Sequence, residues 1–159
     1  MPLIFNGNEP KNITYNGNEV KKVIYNGVTV WEKNANLLQI NDMNIESHGY
    51  NLSVQNGVIT LNGSQTSSFN GELNFDSNVS DLPLGNYICK ISHISSDNNQ
   101  TVAVKLVTTN YVQVVNTNFY NSDQEIHFSL NTPAARLYLY IVPQWSYQNK
   151  KFKIEIFKE

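Results

Sequence analysis

Lys22-Val23-Ile24-Tyr25-Asn26-Gly27-Val28-Thr29-Val30-Trp31 contains two β-prone runs, Val-Ile-Tyr and Val-Thr-Val-Trp, with Asn-Gly between them. Asn and Gly both tolerate positive φ, which a type I′ turn needs at its two central positions, so this stretch predicts a tight β-hairpin. The same phrase stands upstream as Leu3-Ile4-Phe5-Asn6-Gly7 and Ile13-Thr14-Tyr15-Asn16-Gly17, which makes a ten-residue repeat. Phe5, Tyr15 and Tyr25 fill one slot of that repeat, and Trp31 closes it. Strands this short cannot bury enough apolar area by themselves. Residues 1–33 are therefore expected to form an anchor or oligomerisation module, with Phe5, Tyr15, Tyr25 and Trp31 making the contacts. The competing reading is that these strands extend the sheet that follows.

A polar break, Glu32-Lys33-Asn34-Ala35-Asn36, separates this module from a second domain over residues 34–159. Leu52-Ser53-Val54-Gln55-Asn56-Gly57-Val58-Ile59-Thr60-Leu61 is another hairpin with Asn-Gly at its tip. Strands are expected at 69–75 with a bend at Asn70-Gly71, and at 86–92, 101–107, 111–115, 125–130, 135–142 and 151–157. Turn residues between short alternating strands, with no helical period, read as an antiparallel β-sandwich. Alternation points Ile126, Phe128, Leu130, Leu137, Leu139, Ile141, Phe152, Ile154 and Ile156 inward. It turns Glu125, His127, Ser129, Arg136, Tyr138, Tyr140, Lys151, Lys153 and Glu155 outward. The fold class is thus all-β: a short hairpin repeat, then a sandwich.

Composition narrows the function. A net charge of −2 argues against nucleic acid as the main partner, because phosphate binding needs a clustered basic face. The one tight cationic group, Lys150, Lys151 and Lys153, reads as a solvated strand edge. Asn supplies 25 residues, which favours turns over helices. Cys89 is alone, so no disulfide forms within the chain, and its place in an apolar alternation makes it a core thiol. The beginning of the chain has neither the cationic nor the apolar part of a signal peptide. The longest apolar run, Leu137 to Pro143, is too short to span a bilayer as a helix.

Catalytic and metal chemistry find little support. His48, His93 and His127 are isolated, with no zinc-ligand spacing. No G-x-S-x-G marks a nucleophile, and Glu72, Glu125 and Glu155 are too scattered to nominate as a carboxylate pair. Asp76-Ser77-Asn78-Val79-Ser80-Asp81 has calcium-like oxygen spacing but lacks the central Gly and closing Glu of an EF-hand loop. The expectation is a non-enzymatic protein without cofactor or metal.

The strongest binding material is aromatic. Tyr138 and Tyr140 share the outward side of one strand with Arg136, and His127 is an expected neighbour. Trp145 and Tyr147 lie in the polar stretch Pro143-Gln144-Trp145-Ser146-Tyr147-Gln148-Asn149. An amphipathic ring offers an apolar plate with a polar tip, which suits a sugar. Arg136, Tyr138, Tyr140, Trp145 and Tyr147 are therefore the candidate glycan contacts. Contacts to another subunit or to a particle, or ordinary packing, are the alternatives.

The Asn-Gly repeat resembles N-terminal segments of accessory virion proteins of bacteriophages and prophages. The remainder, through Asn36-Leu37-Leu38, Gly57-Val58-Ile59-Thr60-Leu61-Asn62-Gly63, Leu84-Gly85-Asn86-Tyr87 and Phe152-Lys153-Ile154-Glu155-Ile156, is similar to the jelly-roll, carbohydrate-binding-module-like domains that end such proteins. The resemblance implies a virion structural or decoration protein of tail, baseplate or head-fibre type, made in the host cytoplasm. It further implies a homo-oligomer, a trimer, with other virion proteins and host cell-surface polysaccharide as partners. Nucleic acid and membrane are not among them. The alternative is a bacterial lectin-like carbohydrate-binding protein or adhesin.

Overall fold

The computed structural model describes residues 13–16, 18–32, 36–65, 73–75, 80–97, 100–132, 134–143 and 145–159. The chain divides into two compact units, Met1–Ala35 and Asn36–Glu159. In the first unit, β1 (Ile13–Tyr15) pairs with β2 (Asn18–Val20), and β3 (Lys22–Tyr25) pairs with β4 (Val28–Glu32). Both pairs are antiparallel ribbons of two strands. Asn26 at φ 49° and Gly27 at φ 77° form the left-handed pair that a type I′ turn requires. The first copy of the repeat, with Phe5, lies outside the described residues, as does the side chain of Trp31.

The second unit contributes β5 (Met43–Ser47), β6 (Tyr50–Gln55), β7 (Val58–Gly63), β8 (Leu73–Phe75), β9 (Ser80–Leu82) and β10 (Gly85–Ser95). These are followed by β11 (Val102–Thr108), β12 (Gln113–Phe119), β13 (Gln124–Leu130), β14 (Ala134–Pro143) and β15 (Tyr147–Lys158). All pairings are antiparallel. One sheet runs β13-β10-β15-β7-β6-β5, and the other runs β12-β11-β14-β8 with β9 also on β14. The two sheets face each other as a jelly-roll sandwich, and a single core joins their inner faces.

Alternation builds that core. Tyr87, Cys89 and Ile91 from β10 meet Phe152, Ile154 and Ile156 from β15, while Val102, Val104 and Leu106 of β11 and Leu137, Leu139 and Ile141 of β14 close it from the facing sheet. Phe119 of one layer stands 5.2 Å from Phe152 of the other, ring to ring. Leu37 N–H donates to the Ile156 carbonyl, and the side chain of Asn36 accepts from the N–H groups of Leu38 and Ile156, so the entry segment is tied to β15. Phe128, Leu130 and the inward residues of β14 and β15 are buried as alternation requires, and Ile126 is partly buried. Cys89 is fully buried, and desolvation pushes its thiol up to about 12.

Two expectations change. β15 is flanked by β10 and β7, so the lysine group is not on a sheet edge. Lys150 is wholly buried, with Nζ donating to the Tyr120 carbonyl at 2.9 Å and to Asn121 Oδ1 at 2.8 Å. Its position in phase with Phe152 carries it inside, and only Lys151 and Lys153 face outward. The second change is β5, whose inward residues Met43 and Ile45 pack on the core although no strand was expected there. Residues 66–72 and 76–79, which hold the start of the strand expected at 69–75 and most of the calcium-like stretch, lie outside the described residues.

Candidate functional site

The outer face of the five-stranded sheet collects polar and aromatic side chains on a regular backbone. Because Leu137, Leu139 and Ile141 point inward, Tyr138 and Tyr140 must point outward from β14. Their rings lie side by side, with centroids 6.5 Å apart and planes inclined by 47°. Pairing with β11 sets Val107 opposite Tyr138 and Lys105 opposite Tyr140. Beyond Lys105, the register places Asn116 of β12. Both tyrosines are half-buried, so each ring lies partly against the sheet and presents the rest to solvent. Strands β11, β12 and β14 contain no Asp or Glu.

Trp145 and Tyr147 separate. Trp145 is 53% exposed in the connection between β14 and β15. Tyr147 was expected in an exposed loop, but it opens β15 and is 2% exposed. A register shift between Tyr147 and Lys150, with Asn149 at φ 53°, inserts an extra residue and turns Tyr147 to the inner face. Its hydroxyl donates to the Thr101 carbonyl at 2.6 Å. Its ring lies 6.1 Å from that of Tyr50, whose own hydroxyl donates to the Trp145 carbonyl at 3.1 Å. Tyr147 therefore braces the connection that presents Trp145, and its ring is not available to a ligand. Burial raises the pKa of Tyr50 above 10.0, partly opposed by a backbone hydrogen bond at Gln65.

His127 is not a neighbour of the tyrosine pair. β13 crosses to the six-stranded sheet and pairs with β10, which puts His127 on the opposite outer surface with Glu125 and Glu159. The backbone of Arg136 pairs with Ser80 on the strand of the tyrosines, and its side chain lies outside the described residues. Tyr15 and Tyr25 are on the front ribbons, 73% and 68% exposed.

Sequence reasoning missed Lys105, Val107 and Asn116 as companions of the tyrosines. Alternation in Val102-Ala103-Val104-Lys105-Leu106-Val107 already turns Lys105 and Val107 outward, but only strand pairing sets them beside β14. It also passed over Tyr111, which is 84% exposed at φ 60° in the β11–β12 loop. A bulky residue is rarely held in the left-handed region, so this loop conformation is constrained. Tyr111 N–H donates to the Thr108 carbonyl, and Val112 N–H donates to Thr108 Oγ1. Among the described residues, no group of His, Cys, Asp and Glu side chains is arranged to hold a metal ion.

No family model matches the chain, and no curated protein matches it. Among solved structures it is similar to a mutant of a carbohydrate binding module of family 29, with a TM-score of 0.44 and 12% identity over 74% of this chain and 79% of that one. A family 29 carbohydrate binding module gives a TM-score of 0.43 at 12% identity over 76% and 85% of the two chains. A family 29 mutant complexed with cellulohexaose gives 0.43 at 14% identity over 74% and 79%.

Proposed function

We propose that the sandwich is a non-catalytic glycan-binding module whose contact surface is the outer face of the five-stranded sheet. The observation that carries this reading is the paired, half-exposed rings of Tyr138 and Tyr140, set in register with Lys105 and Val107. Each ring offers an apolar plate for the C–H face of a sugar, while tyrosine hydroxyls, the Lys105 ammonium and the Asn116 amide offer hydrogen bonds to its hydroxyls. Hydrolysis of a glycosidic bond needs a pair of carboxylates, and β11, β12 and β14 supply none. Two rings on a flat face support weak binding, about −4 kcal/mol or near millimolar for a single site.

Titration of the full chain with soluble oligosaccharides and bacterial cell-wall polysaccharide tests the reading. Tyr138→Ala and Tyr140→Ala should each abolish measurable binding, while Ser129→Ala on the opposite sheet should leave it unchanged. Binding that survives both tyrosine variants would move the site elsewhere, and no binding to any glycan would remove the proposal.

The front unit supports a second, compatible role. Tyr15, Ile24, Tyr25 and Val28 are 73%, 60%, 68% and 58% exposed on ribbons of two strands. Exposed aromatic and aliphatic side chains of this kind are the material of an assembly contact. We assign this unit to oligomerisation, as a trimer, and to attachment on a virion. Linking several weak glycan sites in one assembly would raise apparent affinity by roughly 10²–10⁴ where geometry allows. Light scattering of the full chain beside Tyr25→Ser decides this, with a monomeric mass in both excluding self-assembly.

A further inference from the structure

Lys150 is the least expected side chain in the core. It is wholly buried, its Nζ stands 5.0 Å from the centre of the Phe119 ring, and among the described residues no carboxylate is within ion-pair distance. A buried ammonium without a counter-ion is costly, and a buried lysine tends to lose its proton. Desolvation accordingly lowers the Lys150 pKa. Its two hydrogen-bond partners are both carbonyl oxygens, the backbone of Tyr120 and the side-chain carboxamide of Asn121. His93 also lies near the Phe119 ring, with centroids 6.3 Å apart.

We propose that Lys150 and Asn121 join through an intramolecular isopeptide bond. The uncharged Nζ attacks Cγ of Asn121, and the Nζ–Cγ bond forms as the carbonyl π electrons move to Oδ1. One Nζ proton passes to Nδ2, which makes it the leaving group. The Cγ–Nδ2 bond then breaks, and ammonia leaves as the carbonyl re-forms. An amine and a primary amide become a secondary amide and ammonia, with no oxidant or other reactant consumed. Attack on the neighbouring Tyr120 carbonyl would instead cut the main chain. The hydrogen bond of 2.8 Å already holds the amine against the carboxamide, and proximity of this kind replaces a bimolecular encounter.

The product replaces a buried amine with an amide and ties the β12–β13 connection to central strand β15. Cys89 has no partner for a disulfide, so this amide would be a covalent staple independent of redox conditions.

Intact-mass measurement of the folded full chain, followed by peptide mapping, is the test. The expected result is a chain lighter than its sequence by one ammonia, with a mapped peptide joining residue 121 to residue 150. Lys150→Arg and Asn121→Ala should each restore the full mass. Succinimide at an Asn-Gly turn also loses ammonia, but mild alkali hydrolyses it and leaves the isopeptide intact. A folded wild-type chain at its full sequence mass would overturn the proposal. So would a deficit that maps to an Asn-Gly peptide or persists in Asn121→Ala. If a variant fails to fold, the wild-type mass and map still decide.

Discussion

Hairpins β3–β4 and β6–β7 are built on the same Asn-Gly turn and differ in what their arms meet. Asn26 and Gly27 have φ of 49° and 77°, and Asn56 and Gly57 have 51° and 73°. On the arms of the second hairpin, Leu52, Val54, Ile59 and Leu61 are all buried. On the first, Ile24, Tyr25 and Val28 are exposed. Turn chemistry thus sets the local shape in both, while the arms of the second hairpin are buried in the core of the sandwich. The lesson is that the front ribbons hold their shape through backbone preference, and the sandwich holds its shape through its core.

The largest effect should come from the arms of the buried hairpin. Leu61→Ala is expected to destabilise the sandwich by about 2–5 kcal/mol, through lost transfer energy and the cavity left behind. Denaturant unfolding monitored by tryptophan fluorescence would measure it, and a loss below about 1 kcal/mol would contradict the core assignment.

Alkaline pH gives the next effect, again confined to the sandwich. Burial pushes the Cys89 thiol from 9.0 to about 12, and burial also raises Tyr50 and Tyr87. A raised folded-state value means that the native state keeps its proton longer than the unfolded chain. The stabilising contribution is therefore whole below about pH 9 and is lost as pH rises towards 12. For Cys89 this amounts to roughly 2 kcal/mol by about pH 10.5. Stability measured across that range should fall less steeply in Cys89→Ala than in the wild type, and parallel curves would refute the contribution.

Smaller again are the turns themselves. A Cβ at Gly27 or at Gly57 would meet nothing within 4 Å, so only the left-handed backbone opposes a substitution. Gly57→Ala should destabilise the sandwich by about 1 kcal/mol. Gly27→Ala should strain its ribbon by a similar amount and leave the unfolding of the sandwich unmoved. Hydrogen exchange resolved by residue would separate the two, and a Gly27 variant that destabilised both units equally would erase the distinction drawn here.

The smallest expected change is in Tyr25→Ser, within about 0.5 kcal/mol of wild type in a single chain. Its solution mass is the sharper reading, because an exposed ring that matters only in assembly changes oligomeric state before stability. A stability loss comparable to Leu61→Ala would show that Tyr25 is buried within the chain.

Much of this architecture was legible without coordinates. Period-two alternation named the inward residues of β13, β14 and β15, and both Asn-Gly hairpins followed from the φ requirement of their turns. β5 escaped because Met43-Asn44-Ile45-Glu46-Ser47 has only two strongly apolar positions and no flanking Gly or Pro pair. Tyr147 was misplaced because its polar neighbours read as a loop, while a bulge at Asn149 rotates it inward. Lys150 was misread through its charge, although its phase with Phe152 pointed inside.

Local chemistry therefore determined the turns, the strand faces and the all-β class, because these depend on φ preference and on side-chain alternation along one strand. Tertiary pairing decided which strands became neighbours. It set Lys105 and Val107 beside the tyrosine pair and sent His127 to the other sheet. It also buried Lys150 and brought it to Asn121, residues 29 apart in sequence yet 2.8 Å apart at their polar atoms. Antiparallel pairing between distant segments is selected by the burial of whole faces, and that sum is available only once the chain has folded.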